Sequence, residues 1–282
     1  MSHPDMSAGP PPVHAAKSIG DSIARARWFE WLARAGLVAR GAIYGIIGVL
    51  ALEVAFGAGG ETTGQKGALA EISQQSGGKI LLVLTAIGLF GYAFWRLLRA
   101  AVGHGPEATD DAKERLAGLA SGLAYASLFI TCLAILLGSS GGGGAGSPDK
   151  ATGGVLGWPA GQAIVAIAGL VLIGVGLYQG YEGVTKKFLE RSKTEGMSER
   201  TEKAFTALGI AGHLARMVVF ALIGYFLVKA AIDFDPDEAV SVDGALTALA
   251  DASYGPVLLG IVAAGMLGFA AYSVADARYH RV

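Results

Sequence analysis

Apolar residues along this chain gather into six long blocks separated by polar or glycine-rich stretches. The blocks run over Ala35–Phe56, Ile80–Leu98, Leu116–Leu137, Gln162–Tyr181, Ala207–Ile232 and Pro256–Ala275. Each is close to the ~20 residues that carry a helix across a ~30 Å hydrocarbon core. A segment in lipid must satisfy its own backbone hydrogen bonds, and the period-two alternation of a membrane barrel is missing, so each block predicts a transmembrane helix. The expected fold class is all-α integral membrane, with six transmembrane helices.

The polar stretches set the boundaries. Residues 1–20 include Pro10-Pro11-Pro12 and have no apolar core, which reads as a disordered tail rather than a cleavable signal. In residues 21–34, Trp28, Trp31 and Leu32 share a helical face opposite Arg27 and Arg34. That pattern predicts an amphipathic helix in the headgroup zone, and a plain extension of the first span fits it equally well. The spans then fall in pairs: residues 35–103, residues 113–184 with a Gly-rich outer loop at 138–157, and residues 206–279 after a linker at 185–205.

Charge changes the picture by fixing a direction. Only 16% of the residues are charged, against about 25% in soluble domains. With both termini inside, the cytoplasmic side receives Lys17, Arg25, Arg27, Arg34 and Arg40, then Arg96, Arg99, Lys113 and Arg115. It also takes Lys186, Lys187, Arg191, Lys193, Arg200, Lys203, Arg216, Arg278 and Arg281, leaving only Lys66, Lys79, Lys150 and Lys229 of the 22 basic residues outside. The positive-inside rule therefore predicts cytoplasmic termini. A net charge of -1 excludes nucleic acid as a bulk electrostatic partner. Cys132, the one cysteine, excludes an intrachain disulfide and a cysteine-cluster zinc site.

The pairs resemble one another. Ala39-Arg40-Gly41-x-x-Tyr44-x-x-x-Gly48 aligns with Ala215-Arg216-Met217-x-x-Phe220-x-x-x-Gly224, and the middle pair offers Ser121-Gly122-x-x-Tyr125. Gly67-Ala68-Leu69 and Gly244-Ala245-Leu246 precede Gly78 and Gly255 by the same interval. Gly88-x-x-Gly91 matches Gly265-x-x-Gly268, the middle pair offers Gly174, and Trp95, Tyr178 and Tyr272 correspond. Three copies of a two-helix unit follow. Each copy starts and finishes on one side, so they are parallel repeats about an axis along the membrane normal.

Two motifs carry a resemblance to a known family. Ala33-Arg34-Ala35-Gly36-Leu37-Val38-Ala39-Arg40-Gly41-Ala42-Ile43-Tyr44 is one, and Gly88-Leu89-Phe90-Gly91-Tyr92-Ala93-Phe94-Trp95-Arg96 is the other. Over residues 31–279 the chain resembles the bacterial membrane family catalogued as domain of unknown function 1206, with three tandem two-helix repeats. The middle copy departs from it, with Ser121 in place of the arginine and Gln179 in place of Arg96. The resemblance implies a six-helix cell-membrane protein and supplies no activity.

Candidate chemistry is sparse. Gly41 with Gly45, Gly118 with Gly122 and Gly176 with Gly180 are small-xxx-small pairs, and Gly48, Gly88, Gly91, Gly224, Gly265 and Gly268 recur on the helices. All are read as helix-packing positions, with unwound ligand-binding segments as the alternative. The Gly138–Gly146 run lacks the spacing of a phosphate loop and reads as a flexible outer linker. Arg40, Glu53, Arg216 and Lys229 are the candidate intramembrane charges, because burying charge demands a partner or a function. Glu53 and Lys229 each lie thirteen residues beyond the equivalent arginines and carry opposite charge, so an ion pair between them is expected.

His213 lies three residues before Arg216 and is a candidate interface group, for an anion or for polar packing. No His-x-x-x-His or Glu-x-x-His pair occurs, so a metalloenzyme centre has no ligands at credible spacing. The segment from Asp233 to Gly244 starts like a calcium loop but has Glu238 where glycine is needed and Gly244 where glutamate is needed. With no nucleophilic triad, the expectations are no catalytic residues, no metal, no cofactor and no enzyme.

The partners expected are the lipid bilayer and either other membrane proteins or further copies of the chain. Tight glycine packing favours a structural or accessory protein. The repeats and intramembrane charges favour, as the alternative, a small-solute, ion or proton transporter or channel at the repeat interface. Single cysteines placed in the 185–205 linker of a Cys132→Ala chain should react with an impermeant thiol reagent only from the cytoplasmic face; labelling from outside would reverse the predicted orientation.

Overall fold

The computed structural model describes residues 27–75, 77–102, 112–138, 148–192 and 194–279. The tail expected at 1–20, residues 21–26, most of the Gly138–Gly146 run and the three C-terminal residues lie outside the described residues. The six spans are α1 (Arg27–Ala55), α3 (Gly78–Val102), α4 (Ala112–Leu136), α6 (Gly161–Thr185), α7 (Glu199–Asp233) and α9 (Gly255–Tyr279). Each contains a stretch long and apolar enough to cross a membrane. Three short helices join the members of each pair: α2 (Gln65–Gln74), α5 (Pro148–Leu156) and α8 (Val242–Ala250).

Residues 27–34 continue α1 without a break, the second of the two expectations for that stretch, since nothing between Arg27 and Ala55 interrupts the hydrogen-bond ladder. The loop expected at 138–157 contains α5, which occupies the place of α2 and α8 in the other repeats. In all three repeats a glycine opens the second span just after the short helix: Gly78, Gly161 and Gly255. A Cβ at these positions would collide with the carbonyl of Ile72, Val155 or Ala250 on the short helix, so only glycine lets it fold back against the span.

The spans form an open ring in chain order. α1 packs on α3, α3 on α4, α6 on α7, α7 on α9, and α9 returns to α1, while α4 and α6 make marginal contact at most. The row of helices curves: Arg216 on α7 stands 5.7 Å from the ring of Tyr44 on α1, across the intervening α9. Three seams join one repeat to the next: α9–α1, α3–α4 and α6–α7.

The seams share one register. At α9–α1, a Cβ on Gly41 would stand 2.8 Å from Val274 Cγ2, and one on Gly48 2.9 Å from Leu267 Cδ2. At α3–α4 the equivalent of the first pair is Gly122 against Leu97, at 2.7 Å. The equivalent of the second pair there is Phe129 against Phe90, with ring centroids 5.4 Å apart. At α6–α7 the first pair is inverted, with Met217 filling the space over Gly180, and the second is Gly224 against Ile173. A side chain inserts where its partner has none, which is how membrane helices gain close van der Waals contact.

Within a repeat, the two spans meet through a second set of glycines. Gly36 faces Tyr92 and Gly88 faces Ala35 and Ala39 in the first repeat; Gly212 faces Phe269 and Gly265 faces Ala211 and Ala215 in the third. The middle repeat has Leu116, Ala117, Val171 and Val175 at the corresponding places of Ala35, Gly36, Gly88 and Tyr92. Three bulkier residues and a missing aromatic ring remove the close approach. Val175 is 41% exposed where Tyr92 is 5% and Phe269 1%, and Val171 is 58% exposed. The break in the ring is therefore written into the middle repeat.

The linker after α6 closes one end. Lys186 adopts a left-handed conformation, φ 58°, and stops the helix. The following turn, Lys187–Arg191, drops Phe188 into the bundle, fully buried, where the bare Gly209 leaves room for its ring. Ser198 then caps α7 by accepting from the Thr201 amide at 3.3 Å.

The seam geometry is open to cross-linking. A Cβ on Gly45 would lie 3.7 Å from Ala270 Cβ, within the range of about 3.5–4.5 Å seen in disulfides. In a Cys132→Ala chain, Gly45→Cys with Ala270→Cys should form a disulfide on mild oxidation. Ala120→Cys with Val171→Cys, the middle repeat's counterpart of Ala39 and Gly88, should not; intramolecular cross-linking there would close the break.

Candidate functional site

The seams carry buried charge in the half of the bundle where Arg27 and Tyr279 lie. Arginine is expensive there unless its five donors find acceptors or aromatic faces. Arg40 on α1 reaches across to α9: its Nε donates to Ser273 Oγ at 3.2 Å, and Nη2 stands 3.8 Å from Asp276 Oδ2. Asp276 also accepts from Ser192 Oγ of the linker at 2.9 Å. Ser273, Asp276 and Ser192 are all buried, so this pair is shielded from water and tied to the plug formed by the linker.

Arg216, the repeat equivalent of Arg40, makes the corresponding reach from α7 to α6. With the Gln179 amide oriented by its network, its oxygen accepts from Arg216 Nη1 and Nη2 at 2.9 and 2.7 Å, and its nitrogen donates to Glu182 Oε2 at 3.3 Å. Gln179 stands at the repeat position of Ser273, and Glu182 at that of Asp276. Two seams thus hold the same trio: an arginine from the first helix, a neutral polar group across the seam, and a carboxylate one turn further along.

The two guanidiniums flank one ring. Arg40 lies 5.0 Å from the centroid of Phe269 and Arg216 lies 4.7 Å from it. Arg216 also stands over Phe220 and Tyr44. Tyr44 meets the same Phe269 edge-on at 4.9 Å. Cation–π contact of this sort is strongest where water is excluded, and Phe269 is fully buried.

Arg96 on α3 completes the set of three. It lies over Tyr92 and Trp95, at 5.6 and 5.5 Å, and Tyr92 packs edge-on against Tyr125 of α4 at 4.5 Å. Arg96 thus rests on the aromatic pair of the α3–α4 seam, as Arg40 and Arg216 rest on Phe269.

The other expected residues are placed differently. His213 is buried: its Nδ1 meets the Gly209 carbonyl at 2.7 Å, and its ring stacks on Phe188 at 4.9 Å, which is the polar packing named as one of its two expected roles. Lys229 pairs with Glu238 and, at 3.9 Å, with Asp233, both in its own repeat. Glu53 is exposed near the end of α1, and the expected Glu53–Lys229 pair is not formed; Asp233 at the end of α7 and Glu238 just beyond it hold the ammonium.

Among the glycines, Gly41, Gly48, Gly88, Gly122, Gly180, Gly224 and Gly265 all face a neighbour too closely for a Cβ, and Gly176 is tight, with its nearest neighbour atom 3.0 Å from that position. Gly45, Gly118 and Gly268 make ordinary contacts, and Gly91 is buried. Gly36, Gly169 and Gly212 also leave no room for a Cβ, and they lie outside the small-xxx-small pairs. The place of Gly36 and Gly212, four residues before each repeat arginine, is the signal that finds them.

Asp276→Asn should strip Arg40 of its buried carboxylate and destabilise the protein by about 3–5 kcal/mol, read as a lowered unfolding temperature in detergent. Adding Arg40→Gln should recover part of the loss; no recovery would mean that the contact with Arg40 is not what Asp276 contributes.

Comparison with known proteins agrees with the three structural repeats. The profile of the family described as Domain of Unknown Function (DUF1206) matches residues 35–103, 116–186 and 211–280, one match to each pair of spans. The chain is also 32% identical over 258 residues to "Uncharacterized protein YxxB" of Bacillus subtilis (strain 168), covering 90% of this chain and 92% of that one. No solved structure matches. With one profile match on each repeat and a relative aligned along nearly its whole length, this chain belongs to the DUF1206 family.

Proposed function

We propose that this multi-pass protein is a structural or accessory component of the cell membrane, packing with lipid or protein partners, non-enzymatic, with both termini cytoplasmic. The observation that carries this reading is the break between α4 and α6, which leaves two complete spans with apolar side chains turned outward. Leu116 on α4 and Val171 on α6 are each more than half exposed and Val175 on α6 is 41% exposed, where their first-repeat counterparts Ala35, Gly88 and Tyr92 pack closely within the repeat. Faces of that kind in a membrane are covered by acyl chains or by another helix.

The packing between α1, α7 and α9 supports the same reading. Ile43, Ile47, Met266 and Phe269 there are all but inaccessible, and glycine-mediated seams close the helices on each other. The transporter alternative draws on the three seam arginines, which would suit an anion path. The orientation rests on the sorting of basic residues to one side.

Extraction with the surrounding native bilayer, without detergent, separates the two. The accessory reading expects lipid enrichment relative to the bulk membrane, or a stoichiometric membrane-protein partner. A reproducible water-soluble solute with neither of these would overturn it in favour of transport.

A further inference from the structure

The three seams are built to one plan, and one of them lacks a part. At α9–α1 the trio is Arg40, Ser273 and Asp276; at α6–α7 it is Arg216, Gln179 and Glu182. At α3–α4 the arginine is Arg96, now on the second helix, and the small polar residue is Ser121, on the first. The two have exchanged sides relative to Arg40 and Ser273. The position that holds Asp276 and Glu182 in the other seams holds Arg99. A carboxylate has been replaced by a second basic residue.

The local contacts show the consequence. The Ser121 hydroxyl donates to its own helix, to the Gly118 carbonyl at 3.1 Å. Arg96 has aromatic faces for its guanidinium, but its Nε is buried without a hydrogen-bond partner among the described residues. A guanidinium at membrane depth with an orphan donor is a costly arrangement. The α4 helix that forms one wall of this seam also borders the break in the ring, and Leu116 and Leu123 on it are exposed. The hydrocarbon-facing side of α4 therefore adjoins a seam in which, among the described residues, no carboxylate stands at the place of Asp276 and Glu182.

We propose that the α3–α4 seam binds the phosphate of an anionic phospholipid, which supplies to Arg96 the negative charge that Asp276 and Glu182 supply to the other two arginines, while the acyl chains lie along α4 in the break. A lipid is favoured over a dissolved anion because the seam adjoins a hydrocarbon-exposed face and arginine matches phosphate geometry. This deepens the accessory reading and rests on it.

The test uses the full chain, delipidated in a neutral detergent and examined by native mass spectrometry with added phosphatidylglycerol or phosphatidylcholine. One phosphatidylglycerol should be retained in preference to phosphatidylcholine. Arg96→Gln, which installs the residue that the middle repeat has at this position, should reduce retention about tenfold, the loss expected for a charged hydrogen bond. Arg99→Asp, which restores the carboxylate of the other seams, should reduce it at least as far without lowering thermal stability. Arg278→Gln, an exposed control, should retain lipid as the parent does.

Equal retention by the parent, Arg96→Gln and Arg99→Asp overturns the inference; if lipid enrichment in native extracts persists, the accessory reading survives that failure. Stabilisation by inorganic phosphate that depends on Arg96, with no lipid selectivity, overturns the lipid as ligand. Amide substitution of Glu107, Asp110 and Asp111 tests the connection between α3 and α4 as the anion donor. Unchanged stability supports the lipid; an Arg96-dependent loss of stability with unchanged lipid retention overturns it.

Discussion

Helices in hydrocarbon gain little by exchanging a lipid neighbour for an apolar helix, so association depends on how closely two backbones can approach and how completely the space between them is filled. That constraint governs this fold. At the first position of each seam one residue is glycine and the residue opposite is large: Gly41 with Val274, Gly122 with Leu97, and Gly180 with Met217. The inversion in the last pair shows that the requirement falls on the combined volume of the two partners. The same rule explains where the ring fails to close. Gly36 and Gly88 in the first repeat, and Gly212 and Gly265 in the third, let the two spans of a repeat meet; the middle repeat has larger residues at these places, and its spans stand apart.

Close seams make the buried arginines tenable. Arg40 and Arg216 enter from equivalent positions, cross to the neighbouring helix and find a polar group and a carboxylate there. Phe269 between the two guanidiniums connects one seam to the next. The linker contributes to the same structure, because Ser192 binds Asp276 while Phe188 packs on His213 and Tyr272. Charge, aromatic packing and the connection between repeats thus converge in one half of the bundle. The exchanged Arg96 and Ser121 show how repeats can differ in sequence while every seam keeps an arginine.

Much of this was legible in advance. The six spans, the three copies and the equivalence of Arg40 with Arg216 are visible because hydropathy and repeat spacing are properties of contiguous residues. Other features misled. Gly45, Gly118 and Gly268 sit in recurrent small-residue positions yet have room to spare, whereas Gly36 and Gly212 are tight and belong to no small-xxx-small pair. Lys229 and Glu53 share a register and opposite charge, but register along a helix does not bring two outer ends together when nearer carboxylates follow in the same repeat. His213, by contrast, takes one of its two expected roles and packs with aromatic residues from the linker and α9.

The deficit of charge, the lengths of the apolar blocks and the sorting of basic residues determined a six-span membrane protein with three tandem units; each follows from local transfer free energies that hold whatever the helices touch. Tertiary structure alone decided which spans are neighbours, that Arg40 meets Ser273 across 233 residues of chain, and that the ring opens at the middle repeat. Those outcomes depend on matching a space on one helix to a side chain on another, and complementarity of volume between distant segments is written in neither segment by itself.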